Sequence, residues 1–287
     1  MTPSGAGDVA LRDMRSEDIA AGLRLCRLAG WNQRAEDWQA LLASGRFRVA
    51  LRGDKVVGSG GAVHYGSRLA WVAMILVAPE ARGRGIATRL IEAILEPLRG
   101  FEVVGLDATA EGVSVYRRHG FTDRSGFARL ERPADTGAAA PSASCAVIAL
   151  TSADLAAVAE HDRVVFGADR MPVLRWALDQ APHYAWRLEA AGSLPSYVFG
   201  RHGHRTEHLG PLVAEDDEAA ASLLAAALAS APGRAFTIDV PDRPAWLQRL
   251  GQLGFLTRRG FRRMLLEDVP TPGQPGQLFA ITGPEFG

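Results

Sequence analysis

Residues 77–90 read VAPEARGRGIATRL, with three arginines and two glycines set between two apolar runs. Upstream, LAWVAMILVA (69–78) is continuously apolar and is closed by Pro79, the pattern of a buried strand. Downstream, Ile86, Leu90, Ile91, Ile94 and Leu95 recur at helical spacing, so the loop opens an amphipathic helix. A helix start presents unpaired N–H groups and the positive end of a dipole, which together attract phosphate. Gly83 and Gly85 remove the Cβ atoms that would hold a bulky anion off the backbone. Arg82, Arg84 and Arg89 can donate charge-assisted hydrogen bonds to phosphate oxygens, and Thr88 adds a hydroxyl. The stretch predicts a diphosphate cradle formed by Arg82, Gly83, Arg84, Gly85, Ile86, Ala87 and Thr88. A Walker A loop is excluded because no Gly-Lys-Ser/Thr follows. A dinucleotide fingerprint would need its three glycines early in a βαβ unit, with an acid about 20 residues later.

Thirty-two basic and 32 acidic residues cancel, so a broad basic face for nucleic acid or anionic lipid is not expected. Any anion site must be a local cluster. Lys55 is the only lysine, and arginine carries the rest of the positive charge. Cys26 and Cys145 stand apart from any Cys/His cluster, which excludes a disulfide framework and a zinc site of ordinary spacing. MTPSGAGDVALRDM lacks the basic and apolar regions of a signal peptide, and no apolar run approaches the ~20 residues of a membrane span. The expected location is cytoplasmic, with no membrane partner.

The chain is written twice. RPADTGAAAPSAS (132–144) is small, Pro-containing and aperiodic, and reads as a linker. GFTDRSGFARL (120–130) aligns without gaps on GFLTRRGFRRM (254–264), and SEDIAAGLRL (16–25) lies over SADLAAVAEH (152–161). Asp107, ending VVGLD, corresponds to Asp239, ending FTID. The expected organisation is therefore two domain-sized copies, 1–131 and 145–287, joined by 132–144. The first copy reads as a strand at VALRDM, a helix capped by Ser16, and a second helix at AEDWQALLAS. Three strands, the helix from Ile86, the strand VVGLDA, the helix EGVSVYRRHG and a last strand or hairpin through 120–132 follow. That order predicts the α/β class, a mixed sheet flanked by helices.

On these residues the chain resembles the GNAT N-acetyltransferase superfamily. ARGRGIATRL is similar to its acetyl-CoA loop, Q/R-x-x-G-x-G/A, met by Arg82, Gly85 and Ala87. VYRRHGF (115–121) resembles its later motif, in which a tyrosine precedes a Gly-Phe pair by four residues. More narrowly, GWNQRAEDW, LDATAEG, FGADR, LGPLVA and GPEFG resemble tandem GNAT proteins of the YitH/HolE-like group, whose second copy is degenerate. The resemblance implies two tandem GNAT-like domains, with the strand of Ile75, Leu76 and Val77 splayed from the strand ending at Asp107. It implies that the CoA pantetheine arm bonds the backbone of Ile75 and Val77, and that N–H groups near Leu76 and Val77 hold the tetrahedral oxyanion. It implies Tyr116 as the general acid for the CoA sulfur.

The base is more open. AWVAMILVA carries no carboxylate, so Asp107 is the first candidate and also an acceptor-pocket residue; an Asp at a strand end can equally brace the following turn. Glu111 and a water chain are alternatives. Trp31 and Asn32, in the loop between the first two helices, are expected to line the acceptor pocket, whereas Trp38 reads as core. His64 and His119 read as structural. In the second copy Glu215, Asp216, Asp217 and Glu218 crowd the corresponding helix start, and Leu250 stands where the tyrosine should be, so this copy is not expected to bind CoA. Arg170 and Tyr197 are its candidate pocket contributors. The expected activity is acetyl-CoA-dependent transfer of an acetyl group to a small-molecule amine, without metal or acyl-enzyme. A peptide acetyltransferase and a non-catalytic acyl-CoA sensor are the rivals, and the protein is expected as a monomer or homodimer.

Overall fold

Apolar runs bounded by turn residues give the amino-terminal sheet its strands. In a computed structural model, which describes residues 9–136, 143–188 and 196–287, these are β1 (Val9–Asp13), β2 (Gly45–Arg52), β3 (Lys55–Tyr65), β4 (Leu69–Val77) and β5 (Val103–Ala108). They neighbour one another in that order, antiparallel except for the parallel pair β4–β5. Helices α1 (Ile19–Leu28) and α2 (Ala35–Ser44) separate β1 from β2, and α3 (Ile86–Leu95) follows β4. Ser16 does not cap α1 as expected; it lies in a short 3₁₀ turn, where the Asp18 carboxylate instead accepts from the Arg15 N–H at 2.8 Å. Along β3, Gly60 faces Ile94 of α3 while Gly61 faces Phe47, whose ring meets Trp38 of α2 edge-on. The two helices thus cover opposite faces. Trp38 is fully buried, as its spacing predicted.

After β5 come α4 (Ala110–Arg118), β6 (Phe121–Arg132), β7 (Val147–Ala149), α5 (Leu155–Phe166) and α6 (Met171–Gln180). Then follow β8 (Trp186–Leu188), β9 (Tyr197–Arg201), β10 (Glu207–Val213), α7 (Asp217–Ala229), β11 (Phe236–Pro241), α8 (Pro244–Gln252), β12 (Leu256–Leu266) and β13 (Leu278–Ala280). β6 is one uninterrupted strand rather than a hairpin. α7 is nearly all alanine and leucine and is buried all round, against Tyr184, Leu212, Phe236 and Leu250.

By packing, the chain divides at Gly105/Leu106. The repeat boundary expected in the linker, of which residues 137–142 lie outside the described residues, is a different quantity. Packing follows β6, which belongs to the first copy by sequence yet lies between β11 and β12 of the second, antiparallel to both. Phe127 of β6 stands opposite its own repeat counterpart, Phe261 of β12.

Candidate active site

The strand leading into the arginine–glycine loop is irregular where the site was expected. Met74 holds φ at +59°, in the left-handed region, and the β3–β4 register shifts between Ser59 and Gly61. A non-glycine residue in that conformation within a buried strand is a bulge that turns the following residues. The buried Ser59 hydroxyl donates to the Met74 carbonyl at 3.1 Å and fixes it. The β4–β5 ladder covers Leu69–Trp71 against Val103–Gly105, while β4 continues to Val77. Ile75, Leu76 and Val77 therefore lie on the stretch of β4 beyond that ladder. The Val77 carbonyl accepts from Arg82 Nε at 3.2 Å, so Arg82 folds back over the strand end.

The loop then delivers α3 with an open start. Gly83 and Gly85 sit at φ +72° and +70°, and Gly85 is the N-cap residue. At neither would a Cβ meet any atom within 4 Å, so the backbone faces open space. No side chain caps α3 and no acid lies in its first turn, and Arg82 and Arg84 are exposed beside it. Uncapped N–H groups, a dipole end and flanking guanidinium groups fit a diphosphate.

The second copy repeats the geometry and closes it. The β10–β11 ladder also spans three residue pairs, Glu207–Leu209 against Phe236–Ile238. Beyond it, β13 pairs antiparallel with β10, and the Ile281 N–H donates to the Asp239 carbonyl of β11 at 2.9 Å. The chain's own peptide thus fills the slot. Gly210, at φ +145°, permits this approach, because a Cβ there would overlap the Ile281 carbonyl. At the helix start, Asp216 Oδ1 accepts from the Ala219 N–H at 2.8 Å, and Glu218 pairs with Arg249 at 2.7 Å. Leu250, in the tyrosine's position, is fully buried core.

Tyr116 and Asp107 belong to the second packing unit. Tyr116 is half-buried, edge-on to Phe121 at 5.9 Å, and Gly112 one turn earlier leaves room for its ring. Desolvation raises its phenol pKa well above the ordinary value, so the hydroxyl stays protonated and able to donate. Asp107 presents no free oxygen to solvent. Its side chain is sealed and takes a bidentate pair from Arg263, Nε to Oδ1 at 2.9 Å and Nη2 to Oδ2 at 2.8 Å. Burial raises its pKa, Arg263 opposes this, and Asp239 and Glu285 add to the rise.

That pair has a twin. Asp239 takes a bidentate pair from Arg129 at 2.8 and 2.7 Å. Asp107 and Asp239 are repeat counterparts, as are Arg129 and Arg263, so each copy's aspartate is held by the other copy's arginine. The rings follow the same rule, with Arg129 over Phe261 at 5.2 Å and Arg263 over Phe127 at 4.3 Å. Arg263 was missed as a site residue in the sequence. Its signal was present, because the aligned segments carry both arginines and both aspartates at matching places.

Trp31 and Asn32 lie in the loop after α1; Trp31 is half-buried, whereas Asn32 is turned inward and 7 % exposed. Arg170 and Tyr197 form core rather than pocket. Arg170 is fully buried, bidentate to Asp162 at 2.8 Å and bonded to Thr282, and the Tyr197 hydroxyl donates to the same carboxylate. His64 packs against Phe101, and burial lowers its pKa.

Comparison with known proteins agrees with this geometry. Residues 43–123 and, separately, 158–280 match family models described as acetyltransferase (GNAT) domains. The chain is 23% identical to the uncharacterized N-acetyltransferase YitH of Bacillus subtilis, over 96% of this chain and 97% of that one. It is 28% identical to the holothin acyltransferase of a Pseudoalteromonas species, over 78% and 71% of the two chains. Among solved structures, a Pyrococcus horikoshii protein described as a candidate acetyltransferase superposes with a TM-score of 0.81 at 21% identity, covering 96% and 95%. The chain is a tandem GNAT protein and an acyltransferase. No helix among its described residues is long and apolar enough to cross a membrane.

Proposed function

We propose that this protein transfers an acetyl group from acetyl-CoA to the amine of a small molecule, by direct attack and in the cytoplasm. Acetyl-CoA supplies the acyl group as an activated thioester. The reading is carried by one contrast. The first copy's helix start is uncapped and open at Gly83 and Gly85, whereas the second copy's is capped by Asp216 and its slot is filled by β13. Backbone N–H groups from Gly83 to Thr88, with Arg82 and Arg84, hold the diphosphate. Arg82 would release the Val77 carbonyl on doing so, freeing it for the pantetheine amides. The Ile75–Val77 backbone beyond the bulge orients the thioester, and N–H groups near Leu76 and Val77 steady the oxyanion.

Tyr116 is assigned by its motif as the acid that gives its proton to the departing sulfur, and burial keeps the phenol protonated until then. Trp31 and Asn32 are assigned to the acceptor pocket by their motif, and Asp107, which the motif also assigned there, is sealed behind Arg263. Because Arg263 engages both its oxygens, positioning is better supported than proton abstraction. The test is release of free CoA thiol by the full chain from acetyl-CoA across a panel of small amines and short peptides. Acyl transfer to a small amine supports the reading. Transfer to peptides alone, or CoA binding without turnover, would overturn it.

A further inference from the structure

One extra residue in β4 decides which of its peptide groups face outward. Ala73 stands opposite Gly61, but Leu76 and Val77 stand opposite Ser59 and Gly58, so β4 gains a residue on β3 at Met74 and Ile75. Backbone groups alternate between the two sides of a strand, so an inserted residue reverses every group beyond it. The Ala78 N–H donates to the Val57 carbonyl at 2.8 Å, which turns the N–H and C=O of Val77 away from β3. Arg82 meets the Val77 carbonyl on that outward side. In the unshifted register of Leu69–Ala73, Val77 would stand opposite Val57 and spend both groups on β3.

The shift is costly where it occurs. Met74 is buried at φ +59°, a conformation disfavoured for a residue with a Cβ. Its carbonyl accepts from the hydroxyl of Ser59, which is fully sealed from solvent. Without that hydroxyl a buried acceptor would go unmet at the strained residue, and slipping back to the regular register would relieve both. The second copy meets the same demand by other means. β10 also carries one extra residue, against β9, between Leu209 and Leu212. Counted back from the Leu-Val-Ala shared by 76–78 and 212–214, Gly210 takes the place of Met74. Val198 stands opposite Leu212 as Ser59 stands opposite Leu76. A glycine holds its positive φ, here +145°, without a hydroxyl to fix it. The strained side chain with its buried pin thus belongs to the copy whose helix start is open.

We propose that Ser59 is a positioning residue: through the Met74 carbonyl it holds the register that presents the Val77 peptide groups to the acyl donor. This rests on the acyl transfer proposed above and adds the residue that sets the geometry of its backbone contacts.

The test uses the full chain as wild type, Ser59→Ala, and the isosteric pair Ser59→Thr and Ser59→Val, the last copying Val198. Register is read from hydrogen exchange of the Ala78 amide, donor binding from calorimetric titration of acetyl-CoA, and turnover from thiol release. In Ser59→Ala and Ser59→Val, Ala78 should exchange at least about tenfold faster while the amides of Leu69–Ala73 keep their protection. Acetyl-CoA should bind those two variants roughly 3- to 10-fold more weakly, and kcat should fall roughly 10- to 100-fold. Ser59→Thr, which keeps the hydroxyl, should stay within about threefold of wild type on every readout. If Ser59→Thr and Ser59→Val behave alike, or if kcat falls while Ala78 keeps its protection, the proposal is overturned. If wild type releases no thiol with any amine, yet exchange and acetyl-CoA affinity separate Ser59→Thr from Ser59→Val, the pin stands and the proposed reaction falls.

Discussion

Replacing Gly85 by aspartate copies into the first site the carboxylate that closes the second. Gly85 holds φ +70°, and a side chain there would meet nothing within 4 Å, so the cost is conformational rather than steric. Aspartate tolerates the left-handed region better than most residues, and the strain is about 1 kcal/mol. A carboxylate at an uncapped helix start returns a similar amount. Net stability should change by ~1 kcal/mol or less, a Tm shift of about 2–4 °C at this chain length. Binding should respond far more. A unit charge ~6 Å from a phosphate charge, at an effective dielectric of about 20, opposes binding by roughly 3 kcal/mol, a loss of more than ~100-fold. Gly85→Asn is the control, with the same backbone demand and no charge. Calorimetric titration of acetyl-CoA into the three full-length proteins, beside thermal unfolding, separates the two effects. If Gly85→Asp stays folded and binds acetyl-CoA within threefold of Gly85→Asn, the diphosphate does not sit at the start of α3.

Tyr116→Phe should lower kcat at least tenfold with acetyl-CoA affinity within twofold, and wild-type kcat should show no alkaline fall from this phenol until well above pH 10, since burial raises its pKa; turnover retained in Tyr116→Phe would remove the acid assignment. Arg129→Ala strands a sealed Asp239 carboxylate and should cost about 3–5 kcal/mol in urea unfolding, whereas Arg129→Met with Asp239→Leu should cost much less. His208, buried between Arg201 and Asp239, has a pKa far below the ordinary 6.5, chiefly by desolvation. Because the unfolded chain takes that proton first, its contribution is complete above pH 6.5 and is lost as pH falls below it. The pH slope of stability there should shrink in His208→Asn by up to about 1.4 kcal/mol per pH unit, with His64, His161 and His183 sharing what remains.

The open start of α3 was legible because its parts are local: an apolar strand, two glycines, arginines and a periodic helix lie within one short stretch. The element order was legible for the same reason. The bulge at Met74 was not, since nothing in AWVAMILVA marks where a buried strand slips by a residue. Asp107 was placed correctly at a strand end, but its partner lies 156 residues away and depends on strand pairing that periodicity does not encode. The filling of the second slot was hidden likewise, because Leu278–Ala280 reads as any short apolar segment. The capped start of α7, by contrast, was legible in its charge, because Asp216 and Glu218 are local to it.

A copy whose helix start is capped and whose slot is filled can ordinarily be deleted, but the exchange of β6 denies that route here. Truncating the second copy would leave β6 without both neighbouring strands and Asp107 without its cation. Selection can erode the second copy's chemistry residue by residue, yet it must keep the scaffold whole. Substitutions at Asp107, Arg129, Asp239 and Arg263 should therefore be coupled across the gene, each tolerated chiefly when its partner in the other copy changes with it.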